Sequence, residues 1–257
     1  MAEQQQYLLV RERNLILALL LGLSAVGWVI LVWQGMARSG TAMGLTMGMG
    51  VFVFLAIWVA MMSAMMFPSA SPMILMFAAV SAGKRRQARA FVPTWIFVSG
   101  YLLVWTLFGA LAYVAATAVD HVAARVPWLM DNGGRIGGLV LIIAGLYQLT
   151  PLKNVCLGKC QTPTQFVMTS WRDGYGGAVR MGIEHGVYCL GCCWALMAIL
   201  FPLGMMNIVA LGLVAAFVFA EKVLPIGRML SKIAAVALIG YGLAAVVTPA
   251  VLPTMMS

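Results

Sequence analysis

Charge is what this sequence has least of. Of its 257 residues only 9% are Asp, Glu, Lys or Arg, and there are two histidines, whereas an ordinary soluble domain is about a quarter charged. So few charges cannot coat a water-facing surface of this size. That excludes a soluble globular enzyme and a disordered chain. The sequence also has no long low-complexity linker and no alignable internal repeat, so it reads as one integral membrane domain, 1–257. No phosphate-cradling G-x4-G-K-[ST] loop is present, which argues against an ATP-driven pump, and no catalytic motif is recognisable. Acids are scarcer than bases, 7 against 16. In a soluble chain that imbalance is a footprint for nucleic acid, but at a mean hydropathy of +0.99 it belongs to membrane loops, and nucleic acid is set aside as a partner.

What the sequence has in abundance is apolar length: 63% of the residues are A, V, I, L, M, F, W, Y or C. A bilayer core about 30 Å thick needs roughly 20 apolar residues per helix. Seven stretches qualify, over 15–33, 48–67, 91–119, 135–150, 182–201, 205–220 and 229–247. The expected fold is all-α, a polytopic transmembrane helix bundle of about seven spans. The fourth and sixth stretches are short, so six spans plus a partial one stays open. Arg11 and Arg13 before the first run resemble the start of a signal peptide, but no small-x-small cleavage site follows. The run therefore reads as a retained helix behind a cytoplasmic tail, 1–14.

Lys and Arg set the orientation. With the N-terminus inside, Arg11 and Arg13, then Lys84, Arg85, Arg86 and Arg89, then Lys153, Lys159, Arg172 and Arg180, and lastly Lys222, Arg228 and Lys232 are cytoplasmic. Arg38, Arg125 and Arg135 are outside, as is the C-terminus. The membrane is thus expected to be a bacterial cytoplasmic (inner) membrane. Pro68 and Pro72 follow the second run, and because proline breaks the helix ladder the chain is expected to re-enter or run along the surface there. Such backbone needs protein or water around it.

The chemistry is concentrated in sulfur. Cys189, Cys192 and Cys193 stand in the fifth span behind His185. At 100° per residue, with His185 at 0°, they fall at about 40°, −20° and 80°, so one imidazole and three thiols share a helix face. Such donors suit a soft metal ion, and zinc as well, which takes four of them in a closed site. Free cysteine is also a small buried hydrophobe, and Gly182, Gly186 and Gly191 suit close helix packing. Glu184 is read as interfacial, with an indirect role. Cys156 and Cys160 form C-x3-C in the loop before this span.

Methionine is the second concentration, with 20 residues. Met61, Met62, Met65 and Met66 lie at about 0°, 100°, 40° and 140°, too wide an arc for all four to meet one ion, although two or three could. Thioethers favour Cu(I), although methionine also packs adaptably. The topology brings the Met cluster, His185, Cys189, Cys156 and Cys160 to the same inner depth. They are expected to form one sulfur-rich site. His121, beside Asp120, reads as a solvated loop residue. Met43, Met47 and Met49, with Met205 and Met206, are expected to form an outer entry or exit patch.

At these residues the sequence resembles a bacterial family of uncharacterised proteins described as predicted metal-binding integral membrane proteins. The likeness is carried by Trp58-x-x-Met-Met-x-Ala-Met-Met-x-Pro68, by Gln148-Leu-Thr-Pro-Leu-Lys153 with Cys156 and Cys160 following, and by Gly182-x3-Gly-x2-Cys-x-Gly-Cys-Cys-Trp-x-Leu-Met197. Met206-Asn207 and Glu221-Lys222 also fit. The resemblance implies metal binding without naming the metal.

Three functions compete. The first is a membrane protein that binds Cu(I), or zinc as the alternative, in transport, storage or delivery. Its partners would be membrane lipid and a membrane metalloenzyme or metallochaperone. Copper leads because thioethers accompany the thiols. The second is thiol–disulfide chemistry, using Cys156/Cys160 and Cys192/Cys193. The third is a structural subunit whose Cys and Met only pack.

Overall fold

The computed structural model describes residues 2–37, 44–46, 48–86, 92–205 and 207–252, with side chains outside 2–9 and 85–86. Among the described residues every regular element is helical. In order these are α1 (Ala2–Ala37), α2 (Val51–Arg86), α3 (Thr94–Ala123), α4 (Pro127–Asp131), α5 (Gly133–Gln148), α6 (Pro151–Gln161), α7 (Pro163–Ser170), α8 (Gly174–Ala198), α9 (Leu200–Leu203), α10 (Ile208–Val223) and α11 (Gly227–Val247), then a 3-10 turn, Pro249–Val251. Helix α1 runs unbroken from Ala2, through the residues expected to form the tail.

Among the described residues five helical segments are long and apolar enough to cross a membrane: Val10–Ala37, Val51–Lys84, Thr94–Ala123, Gly174–Leu203 and Gly227–Val247. Helices α5 and α6 make a sixth if taken together, although they meet at a 64° bend. Against the expected seven or so, length and composition thus give five to six candidate spans among the described residues. Helix α10 has 16 residues, and at 1.5 Å each it reaches only about 24 Å.

The bundle is built on paired helices. α1 packs on α2, α3 on α8, and α11 on α5, while α6 lies across α8 and α10 against α2. Glycine permits the tightest pair. A Cβ at Gly182 would overlap the carbonyl oxygen of Phe97, and one at Gly100 the carbonyl oxygen of Val179. The backbones of α3 and α8 are thus in direct contact, the small-residue packing of membrane helices.

The ends of the helices meet in the groups that the charge pattern defines. Asp120, near the end of α3, accepts hydrogen bonds from the backbone N–H of Leu45 (2.9 Å) and Thr46 (3.2 Å) in the α1–α2 turn. Lys84 pairs with Asp173, and Arg228 approaches Gly158. Each contact joins loops assigned to the same side. Arg38 and Arg89 lie outside the described residues, as do Met43, Met47 and Met206 of the outer patch. Met49 and Met205 are buried in the core, and His121 is exposed in the last turn of α3.

The expected break at Pro68 and Pro72 does not occur. Helix α2 passes through both prolines without interruption. Each proline removes the N–H that would bond to the carbonyl four residues earlier, and each freed carbonyl finds a serine. Ser24 Oγ of α1 donates to the Ala64 oxygen at 2.7 Å, and Ser71 Oγ donates to the Pro68 oxygen at 2.8 Å. This is how a proline is accommodated within a membrane helix.

A test follows from this pairing. Ser24→Ala orphans the Ala64 carbonyl and should lower stability by about 1 kcal/mol, seen as earlier thermal unfolding of the detergent-solubilised protein. Adding Pro68→Ala restores the ladder donor and should recover most of the loss. Equal loss in the single and double variants would disprove the account.

Candidate metal centre

The site is organised by the last turn of α10. Asn207 starts that helix by accepting hydrogen bonds from the N–H groups of Val209 and Ala210, both at 3.1 Å, and Pro225 follows its end. Its final turn presents two adjacent ionisable residues, Glu221 and Lys222, both buried.

Glu221 faces α6. Its carboxylate accepts hydrogen bonds from Lys153 Nζ at 2.7 and 2.9 Å and from Ser231 Oγ of α11 at 2.7 Å. Lys153 also donates to Gln148 Oε1. Gln161 Nε2, at the other end of α6, donates to the Glu221 backbone oxygen at 2.7 Å. Lys153 is 0% and Glu221 2% exposed, so the pair is removed from water. Such a pair holds only when the remaining hydrogen-bonding groups are met, as Gln148 and Ser231 meet them here.

Lys222 faces sulfur. Its Nζ lies 3.0 Å from Cys189 Sγ, 4.0 Å from Cys193 Sγ and 3.7 Å from Met66 Sδ. The Tyr101 hydroxyl of α3 lies 3.1 Å from the same Cys189 sulfur. Among the described residues no carboxylate lies within ion-pair distance of Lys222. An ammonium surrounded by two thiols and a thioether therefore occupies a point where soft donors from α2 and α8 converge.

The other expected ligands divide around this point. Cys160 Sγ is 3.9 Å from Cys192 Sγ, a second sulfur pair bridging α6 and α8. Cys156 packs against Gly191, where a Cβ would stand 2.7 Å from its sulfur. Both lie on helix α6 rather than in the expected loop. Thr150 caps that helix by accepting from Lys153 N at 3.3 Å, and Pro151 opens it; four residues apart in a helix, the two thiols share a face.

His185 is held in an aromatic cage, with ring centroids 5.5 Å from Tyr101, 5.7 Å from Phe166 and 6.0 Å from Phe97. Neither of its ring nitrogens has a hydrogen-bond partner. Met61, Met62 and Met65 are buried in α2. Met62 lies one turn from Met66 on the same stripe, whereas Met61 and Met65 lie on a different one. Glu184 is half-buried. Among the described residues no three His, Cys, Asp or Glu side chains gather closely enough to hold an ion.

Sequence reasoning missed Lys153 and Lys222, which it counted among exposed cytoplasmic charges, and Glu221. Both lysines are interior. A signal was present: Glu221-Lys222 continues an apolar run with no polar residue between, and ionisable residues within membrane segments mark partners or cavities. Tyr101 and Ser231 carried no sequence signal.

Removing one partner of the ion pair strands the other. Lys153→Met should cost about 3–5 kcal/mol, while Lys153→Met with Glu221→Met should recover most of it. Chemical denaturation in detergent measures both. A double variant as unstable as the single would show that the pair is not the source of the loss.

No curated protein and no solved structure matches this chain. The model of the PpoB2 family, described as copper chaperones, does match it, over residues 55–245. That range takes in the methionines of α2, all five cysteines, His185 and the Glu221–Lys222 turn. Matched over the greater part of its length, the chain belongs to the PpoB2 copper chaperone family.

Proposed function

We propose that the protein is a copper chaperone embedded in the bacterial inner membrane, which holds Cu(I) at the sulfur pocket and passes it to a membrane metalloenzyme. One observation carries this reading: Met66, Cys189 and Cys193 direct their sulfurs at a single buried point. Thiol and thioether donors together select Cu(I). A closed zinc site needs four ligands, and the thiols here are divided between two clusters. His185, one turn before Cys189 and without a hydrogen-bond partner, stays in its aromatic cage and is not counted among the ligands. Cys160 and Cys192 form the adjoining station.

In this reading Lys222 is the resident cation. Cysteines bind Cu(I) as thiolates and release their protons as the ion loads, and an ammonium beside the thiols favours that ionisation. The side chain withdraws as the ion loads, and its return helps to expel the ion. Orientation follows the positive-inside pattern, with the N-terminus cytoplasmic and the pocket in the inner half of the membrane.

Anaerobic Cu(I) loading of the reduced, detergent-purified chain tests the reading. About one tightly held ion per chain is expected, and Cys189→Ser with Cys193→Ser should weaken binding at least about tenfold. Met66→Leu should weaken it to a smaller degree, and Met61→Leu should leave it unchanged. Copper that survives the double cysteine change would refute the site. Lys222→Met should keep the stoichiometry and slow release to a Cu(I) chelator; release at the wild-type rate would refute its exchange role alone.

The 3.9 Å separation of Cys160 and Cys192 supports a second reading, thiol–disulfide exchange between these two. Thiol trapping distinguishes it, because a copper site keeps both residues alkylatable after metal removal under oxidising and reducing conditions alike.

A further inference from the structure

Helix α6 has two faces of different chemistry. Lys153, Cys156, Leu157 and Cys160 occupy an arc of about 100°, turned toward the ion pair and the thiols of α8. The opposite face lines a cleft of about 580 Å³ between α6 and the start of α11. Lys159 contributes one cation from α6, and Arg228 and Lys232 contribute two from α11, while Asn154 and Gln165 add amide groups. Among the described residues no acidic side chain lines it. The nearby carboxylate of Glu221 is fully engaged by Lys153 and Ser231, so the three positive charges are not neutralised from within.

The surroundings of the cleft define the ligand further. Val155, in its wall, is exposed. On α11, Met229, Ile233, Val236, Leu243 and Val247 are all exposed. At 100° per residue they form one stripe within about 80° that starts beside Arg228 and Lys232 and runs the length of the helix. A basic cleft therefore stands at the head of a long uncovered apolar track. Water-soluble phosphate matches only the first of these features. A molecule with an anionic phosphate head and hydrocarbon tails matches both, and basic pockets between membrane helices recognise such lipids.

We infer that the cleft formed by Lys159, Arg228 and Lys232 binds the phosphate of an anionic phospholipid, whose acyl chains lie along the exposed stripe of α11. The site is separate from the sulfur pocket, with α6 as the wall between them.

The test uses the full-length protein in mild detergent, with lipid retention read by native mass spectrometry and thermal stability read alongside. Phosphatidylglycerol should be retained and should raise the melting temperature, whereas phosphatidylcholine and inorganic phosphate should do neither. Lys159→Gln, Arg228→Gln and Lys232→Gln combined should lower retention by roughly a hundredfold, about fivefold per charge. Lys232→Glu alone, at an exposed position, should lower it by more than one such step. Arg11→Gln with Arg13→Gln should leave it unchanged. Equal retention of phosphatidylcholine, an equal shift from inorganic phosphate, or an equal loss in the Arg11/Arg13 variant would overturn the inference. Each of these readouts is independent of whether copper binds.

Discussion

Glu221 and Lys222 are neighbours in the final turn of α10, and their side chains leave the helix about 100° apart. Buried in a low-dielectric interior, neither charge can be left without partners, so the two residues dictate what must pack on either side. Glu221 requires a cation and takes Lys153, which docks α6. Because Lys153 and Cys160 share a face of α6, docking the lysine also delivers Cys160 to Cys192. Lys222 takes what its own side offers, the sulfurs of Cys189, Cys193 and Met66. The two sulfur clusters thus follow from one helical turn that satisfies opposite charges in two directions about 100° apart.

The two lysines are satisfied to very different degrees. Lys153 meets a carboxylate and an amide oxygen, charge-assisted partners of the strong kind. Lys222 meets thiols and a thioether, which are weak acceptors. In the same interior, one cation is locked while the other is held loosely among donors better suited to a soft metal ion. The rigid part of the molecule lies around this contrast: α3 and α8 touch backbone to backbone through Gly100 and Gly182, and α2 keeps its course through two prolines with serine donors.

The parts of this architecture that depend on local pattern were legible in the sequence. Apolar length marked most of the helices, and the 100° period placed Cys189, Cys192 and Cys193 together, all of them buried in α8. Features satisfied from a distance were not legible. Pro68 reads as a break because its remedy, Ser24, stands 44 positions earlier in the chain. Lys153 reads as a loop charge because Glu221 lies 68 residues away. Cys156 and Cys160 read as loop thiols because Pro151 suggests a stop, although behind the Thr150 cap it opens a helix. The four methionines read as too spread for one ion, and angles alone did not single out Met66, since its place depends on where Lys222 comes to rest.

Burial sets an order on the sulfurs that the chaperone reading must respect. Cys189, Cys192 and Cys193 are each 1% exposed, whereas Cys160 is only partly covered. In the chaperone reading proposed above, Cys160 is therefore the sulfur nearest a partner protein, and Cys192, 3.9 Å from it, stands between it and the rest of the α8 face. Helix α6 carries Cys160, is bent 64° away from α5, and is held to α10 by polar contacts at both of its ends. Polar anchors are directional and can be exchanged one at a time, whereas the backbone contact of α3 with α8 cannot be loosened without separating the helices. Behind α6, the contact of α3 with α8 holds Tyr101 and Cys189 in register, so the innermost thiol is fixed by backbone packing and the outer one by the polar anchors of α6.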